Sequence, residues 1–472
     1  MIRKTKIFCT VGPVSENPDM LAKMMAAGMN VCRLNFSHED HTAHAGRIQL
    51  IREVAASRGT EIAILLDTKG PEIRTGIFEN GSASFQKGDI VKIVKKEVLG
   101  TKECFHISCP ELFDDVNPGH YLLIDDGKMR LTILECNNEE MTCRVENNGI
   151  IKTRKGVNVP NVRLSMPFLS DKDVADIRFG CSQDIDYIAA SFVRRGEDVA
   201  AIREILKEEG KETIQIIAKI ENQEGYDNID DILRLADGVM VARGDLGVEV
   251  SLQLVPIYQK NMIMKANAAG KPVITATHML ESMMHNPRPT RAEASDVANA
   301  VLDGSDAIML SGESAVGEYP LEAISTMDII ATAIEEQIFP YEERLLKAIA
   351  SAERTRKDAI GMSIAETTLN LNIAAIVAFT ESGSTARRIS KFRPKAPILA
   401  LATSVDTQRK LATNWGVYPV LDERPLTLES MDERANLAAR EFGIQPGELI
   451  ILAAGVPGGA GNTNTMRIIE VW

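Results

Sequence analysis

The chain is 472 residues long, enough for two to four domains at roughly 100–200 residues each. Its composition, 44% hydrophobic and 25% charged, excludes a disordered polymer. A formal net charge of -13 repels nucleic-acid backbones and anionic membranes, so an anionic small molecule needs a local cationic pocket.

The opening "MIRKTKIFCTVGP" contains no apolar stretch of signal-peptide length. The first elements read as a strand (Lys6–Val11), a helix (Asn17–Ala27), a strand (Asn30–Phe36), a helix (His41–Ser57) and a strand (Glu61–Asp67). This order predicts a parallel sheet with crossover helices. From Pro71 to Pro167 the pattern changes to short alternating segments broken by "ENG", "QKGD", "NPGH", "DDGK" and "ENNG", which predicts an all-β insertion hinged near those two prolines. Strands are then expected at Ile185–Ala190, Ile214–Ile220, Gly238–Ala242, Val273–Thr275 and Ala307–Leu310, each followed by a helical pattern. Three plus five makes eight, and eight parallel strands with intervening helices predict a closed (β/α)8 barrel with its chemistry at the C-terminal face. An open doubly wound sheet competes on the same pattern. After Tyr341 a largely helical stretch leads into the strands "IAAIVAFT", "APILALA", "GELIILAA" and "NTMRIIEV", a separate three-layer α/β domain. The expected division is barrel at 1–70 and 168–340, inserted lid at 71–167, and C-terminal domain at 341–472.

Six of the barrel strands end on polar residues. Strand two offers Arg33, Asn35, Ser37 and His38; strand three Asp67, Thr68, Lys69, Glu72 and Arg74; strand five Lys219 and Glu221. Strand six offers Arg243, Gly244 and Asp245; strand seven Thr275, Thr277 and His278; strand eight Ser311 and Glu313. In register around one rim they form a site. Lys219 and Glu221 point the same way along an extended segment, and Glu221 with Asp245 supplies hard oxygen ligands for one Mg2+ or Mn2+. Lys219, Arg243 and Arg33 are the cations expected beside them, suited to a substrate with several negative oxygens. A helical turn beginning at Asp245 and Leu246 would aim backbone N–H groups at a carboxylate. Taken singly, any of these pairs is equally a rim salt bridge.

In the C-terminal domain, Thr380, Ser382, Gly383, Ser384 and Thr385 of "FTESGSTARRISKFRP" precede a helix with Arg387 and Arg388 nearby, a phosphate nest suited to an effector. The glycine-rich run Ala453–Asn464 lacks both the P-loop ending and the dinucleotide order, and reads equally as a tight loop. His41 and His44 share a helical face but complete no metal set, so solvated positions are expected. The methionines of "MMAAGM" and "MLESMM" read as core, and Trp415 and Trp472 as anchors of a strand or interface. The seven scattered cysteines lack metal-site pairing, which with the N-terminus points to a reduced cytoplasmic protein without nucleic-acid or membrane partners.

The stretches "TKIFCTVGP", "GMNVCRLNFSH", "ILLDTKGPEIRTG", "KGVNVP", "DKDVADIRFG", "IIAKIENQEG", "DGVMVARGDLGVE", "PVITATHMLESM", "NPRPTRAEASDVANAVLDGSDAIMLSGESAVGEYPLEA" and "GNTNTMRI" together resemble the pyruvate kinase family over essentially the whole chain. The resemblance implies a barrel with a mobile β lid and an effector-binding C-terminal domain, usually in a homotetramer. It implies transfer of the phosphoenolpyruvate phosphoryl group to ADP, giving pyruvate and ATP. Arg33 and Lys219 would contact that group, Glu221 and Asp245 the Mg2+, and Asn35, Ser37, Asp67 and Thr68 a K+. The "ARGD" amides and Thr277 would hold the substrate carboxylate. Asn35, His38, Arg74 and Arg194 would face the nucleotide, and Ser311 and Glu313 the enolate carbon. Glu72 matches members that depend on K+; a Lys there marks those that do not.

Two departures stand out. His278 occupies the place of the usual Gln, where it is a neutral hydrogen-bonding substitute or a titrating group. Glu39 stands where Gly is common, with a small effect expected. The chain also ends without the phosphohistidine-like domain that some bacterial members carry. Lys219 is expected to stay protonated as a charge clamp, with a Thr277/Ser311 water network or a nearby acid as proton source. The rival readings are a Mg2+-dependent lyase that stabilises a pyruvate enolate, and a non-catalytic scaffold of the same fold.

Overall fold

The computed structural model describes residues 2–353, 355–425, 427–455 and 463–472. Eight strands form a closed parallel barrel: Lys6–Thr10, Val31–Asn35, Ala63–Asp67, Tyr187–Ala190, Gln215–Ile220, Gly238–Ala242, Val273–Ala276 and Ala307–Leu310. Closure, which the pattern alone left competing with an open sheet, comes from pairing of the first strand with both its neighbours, Phe8 beside Val31 and Ile7 beside Ile308. The strands read as near-continuous apolar runs because both faces are covered: alternate side chains fill the barrel interior or pack under the helices.

Local chemistry fixes where the helices begin and end. Asn17 and Asp40 cap the helices Pro18–Ala26 and His41–Ser57 by accepting backbone N–H bonds, and Ser170 and Thr290 form capping boxes with Asp173 and Glu293. Gly270 and Gly304 end their helices in the left-handed conformation.

Between the third and fourth barrel strands lies the insertion, a seven-stranded sheet and a two-stranded sheet spanning Ile73–Asn158. It packs its own apolar core, with Phe78, Phe105, Leu122 and Ile133 at its centre, separate from the barrel's. A unit with its own core holds its shape when it moves as a body.

The C-terminal domain is a five-stranded sheet, mixed because Thr465–Glu470 runs antiparallel to Leu449–Ala454. Its edge strand Val417–Leu421 was not among the expected strands; Pro419 interrupts the pattern, and an edge is where a strand tolerates it. Trp415, fully buried against Phe339 and Tyr341, joins this domain to the barrel. Trp472 is exposed. The methionines Met24, Met29, Met279 and Met283 are core, as expected, and all seven cysteines are free. No helix among the described residues is long and apolar enough to cross a membrane.

The solvated positions expected for His41 and His44 need correcting. The His44 ring is buried and stacks on Phe36 at 3.8 Å, with Nε2 meeting the His38 carbonyl. His41 stacks on Phe179 and bonds Asp176 at 2.7 Å. Composition hides this because the helix packs its histidine face onto the barrel.

Candidate active site

Five strand ends build a chain of charge across the barrel mouth. Asp67, closing strand three, is fully buried and accepts Lys219 Nζ on one oxygen at 3.0 Å and Arg33 Nε on the other at 2.6 Å. Thr10 from strand one accepts from Arg33 at 2.9 Å, and Ser191 after strand four accepts from Lys219 at 2.7 Å. Ser191 also donates to the Thr68 carbonyl and takes a second place on Asp67. Neither Thr10 nor Ser191 was read from the sequence as part of the site; the only signal was a lone hydroxyl at the end of an apolar run. Burial would lower the Lys219 pKa, but the Asp67 and Glu221 carboxylates raise it above its ordinary value. The two carboxylates thus favour the protonated form of Lys219.

Glu221 lies 3.1 Å from Lys219 and accepts the Phe192 N–H at 2.6 Å. Asp245 sits within hydrogen-bond reach of Glu221. Burial pushes Glu221 up to about 7 and raises Asp245. Two adjoining carboxylates held this way share a proton or bind a cation. No group of three or more His, Cys, Asp or Glu side chains suited to a metal occurs among the described residues. The pair instead fits a hard divalent ion that fills its remaining positions with water and substrate oxygens.

The expectation for Arg243 is corrected. Its guanidinium turns away from Lys219 and Arg33 and binds Asp296 at 2.7 Å and the Thr277 carbonyl at 2.8 Å. The reason is visible in the backbone: Thr277 and His278 both have positive φ, 65° and 54°, a costly conformation for two successive residues with side chains. Arg243 pins that turn. The turn in place brings Thr277 Oγ1 to the Gly244 N–H at 2.7 Å. Thus one of the amides expected to face the substrate already has a partner. The helix Arg243–Glu249 starts directly on the strand, two residues before the expected turn, and has no side-chain cap. His278 is exposed at the rim.

On strand eight, Ser311 Oγ is buried without a hydrogen-bond partner, while Glu313 is almost wholly buried and accepts the Ser311 and Leu280 N–H groups. Glu313 therefore braces the loop, whereas the free hydroxyl is Ser311's. Asn35 and Asp67 are direct cross-strand neighbours, with Asn35 Oδ1 accepting the Ser37 N–H and Thr68 Oγ1 accepting the Ser191 N–H. His38 is exposed beyond them. Glu39 adopts φ 65° and pairs with Arg47, which explains why glycine suits this position and how a glutamate is tolerated there.

Above the rim, lid and barrel enclose a cleft of 990 Å³ that includes Glu72, Arg74, Lys155, Arg194, Asp245 and Glu249. Arg74 is held by Glu72 at 2.6 Å, and Arg194 by the Leu164 and Met166 carbonyls on the segment returning from the lid.

In the C-terminal domain, Gly383 has φ 79° and leads into the helix Ser384–Lys391. Thr380 and Thr385 are buried, Ser382 is exposed, and Thr385 Oγ1 meets Thr463 Oγ1 at 2.9 Å. Arg387 turns back onto the Ser382 carbonyl, but Arg388 pairs with Asp358 and leaves the nest. Of the glycine-rich Ala453–Asn464 run, residues 456–462 lie outside the described residues.

A barrel that gathers cations, a carboxylate pair and an enclosing lid at its C-terminal mouth defines an enzyme acting on a multiply charged anion. The family model described as "Pyruvate kinase, barrel domain" matches residues 2–324, and "Pyruvate kinase, alpha/beta domain" matches 358–469. A pyruvate kinase of Geobacillus stearothermophilus is 52% identical over 99% of this chain and 80% of its own. One from Clostridium acetobutylicum is 48% identical over 100% of both chains, and one from Bacillus licheniformis 50% identical over 100% of this chain and 81% of its own. The chain belongs to the pyruvate kinase family. It is a phosphotransferase of glycolysis that moves the phosphoryl group of phosphoenolpyruvate to ADP, giving pyruvate and ATP.

Proposed function

We propose that the Lys219–Asp67–Arg33 chain carries this transfer, with Lys219 and Arg33 neutralising the equatorial phosphoryl oxygens as the bond to the enolate oxygen breaks and the bond to the ADP oxygen forms. The single observation that supports the reading is the shared Asp67 carboxylate, which holds both cations toward one point. Glu221 and Asp245 would hold Mg2+ or Mn2+, which when bound supplies a Lewis acid for the phosphoryl and enolate oxygens. Asn35, Ser37, Asp67 and Thr68 offer oxygen donors to K+, and Glu72 fits a K+-dependent enzyme.

Thr277 and the backbone at Gly244 and Asp245 would seat the substrate carboxylate. Arg74, Arg194, Asn35 and His38 face the nucleotide side. Ser311, with its free hydroxyl, orients the water that protonates the enolate carbon. The lid excludes bulk water that would divert the phosphoryl group to hydrolysis. The nest Thr380–Thr385 is assigned to a phosphorylated effector in a homotetrameric, cytoplasmic enzyme. These roles are tested by a steady-state assay with Mg2+, with and without K+, on the wild type and Lys219→Met. Full turnover by Lys219→Met would refute the central assignment, and a phosphoenolpyruvate saturation curve unmoved by a panel of phosphorylated metabolites would refute the effector one.

A further inference from the structure

On the side of the barrel away from the rim, the helix Ser384–Lys391 packs against the floor. Between them lies a cavity of 220 Å³ lined by Lys271, Ser384, Arg387, Arg388 and Lys391, with Asp237 as its single acidic residue. Positions 384, 387, 388 and 391 fall on one helical face. The sequence "STARRISK" thus presents a hydroxyl and three cations to one small space, on a protein whose net charge is -13.

The partners of these groups leave an excess of positive charge. Lys271 is taken up by the Leu233 and Ala236 carbonyls at 2.5 and 2.6 Å, Arg388 by Asp358 at 2.8 Å, and Asp237 by Arg203 at 2.5 Å. Arg387 donates only to the Ser382 carbonyl and pairs with no carboxylate among the described residues. The Lys391 side chain is 4% exposed, and its ammonium comes no closer than 3.9 Å to Asp358. Burial lowers the pKa of both Arg387 and Lys391. In an adjoining small cavity Arg393 is paired with Asp306 through both Nη atoms, so it adds no unmatched charge, and its Nε alone lacks an acceptor. Desolvated cations without a matching anion are costly, and an anion bound among them recovers that cost through charge-assisted hydrogen bonds.

We propose that this cavity is a binding site for a small phosphate-bearing anion, distinct from the nest at Thr380–Thr385, with which it shares only Ser384. The volume lies below the ~300–1,000 Å³ of sites for drug-sized ligands, which suits inorganic phosphate or a short phosphorylated acid and excludes a nucleotide. The ligand would join the helix Ser384–Lys391 to the barrel floor at Gln215, Asp237 and Pro272. Those residues begin or immediately precede the strands whose far ends carry Lys219, Asp245 and Thr277. Binding therefore stabilises the contact between barrel and C-terminal domain by mass action.

The test uses the full-length enzyme saturated with phosphoenolpyruvate and Mg2+, so that the active site is filled. Inorganic phosphate is titrated against chloride at equal ionic strength, reading the thermal midpoint and bound phosphate by equilibrium dialysis. The wild type is expected to show a phosphate-specific rise and one bound phosphate per chain. Lys391→Gln should weaken binding about tenfold, or about 1.4 kcal/mol, and Lys391→Arg should retain it. A nest variant, Ser382→Ala with Thr385→Val, should keep the full response. The proposal is overturned by a wild type without a phosphate-specific rise, by a Lys391→Gln response equal to wild type, or by loss of the response in the nest variant alone. The nest assignment fails separately, through the saturation curves described above.

Discussion

Arg33 and Lys219, from strands that are not neighbours, are held side by side because each occupies one oxygen of the buried Asp67 carboxylate. Removing one cation leaves the other paired, whereas removing the carboxylate leaves Arg33 with no acidic partner among the described residues and Lys219 with Glu221 alone. Lys219→Met is thus expected to fold and to lose turnover by a factor of roughly 10²–10³, the scale for one charge-stabilising donor, with little change in phosphoenolpyruvate KM. Asp67→Asn is expected to lose activity and also about 3–5 kcal/mol of stability. Denaturant midpoints measured beside kcat separate the two cases.

Metal binding at the proposed Glu221–Asp245 site is expected to depend on pH. Burial raises Glu221 from its ordinary value to about 7, so between about 4.5 and 7 the folded metal-free protein holds a proton that the unfolded chain has released. This contribution to stability is full at the acid end and is lost as pH rises through about 7. A divalent ion must displace that proton, so its apparent affinity should rise about tenfold per pH unit up to about 7 and then level off. Mg2+ titrations of the thermal midpoint at several pH values read both effects, and an affinity flat from pH 5 to 8 would contradict them.

Arg243 acts through the turn it pins. Lysine cannot reproduce a guanidinium that reaches Asp296 and the Thr277 carbonyl together. Arg243→Lys is expected to raise the phosphoenolpyruvate KM roughly tenfold, the scale of one charge-assisted hydrogen bond. Asp296→Asn should shift it in the same direction. Initial-rate measurements over a range of phosphoenolpyruvate check this.

The lid is tied to the same helix. Asn158 donates to Glu249 Oε1 at 2.7 Å, and the Val159 N–H faces the same carboxylate. A further lid contact, Arg163 with Glu224, has a largely exposed arginine and is worth little. Glu249→Ala and Asn158→Ala should each loosen the lid and raise the pyruvate released per ATP formed. The double variant should be no worse than either alone, with a coupling of about 1 kcal/mol. Additive effects would separate the two residues.

Much of this protein is legible in its sequence because the signals are local. Buried parallel strands must be apolar throughout, so the barrel strands stand out, and Gly238–Ala242 and Ala307–Leu310 match their expected bounds. Capping residues mark helix starts, and the alternating pattern of Ile73–Asn158 separates the insertion from the barrel. The residue types of the site, Lys219, Glu221, Asp245, Arg33 and Asp67, were also legible, since charge at the end of a buried strand has few reasons to exist.

Tertiary structure alone decided which of those charges meet. Arg243 sits one residue past its strand, as Arg33 sits within its own, yet the first serves a strained turn and the second the charge chain. Side-chain direction at the rim depends on barrel twist and on residues distant in sequence, such as Asp296, Thr10 and Ser191. The burial of His44 and the cationic floor cavity arise the same way, from surfaces that meet only when separate elements pack. Periodicity along a chain determines which face a residue occupies; only the folded neighbours determine its partner.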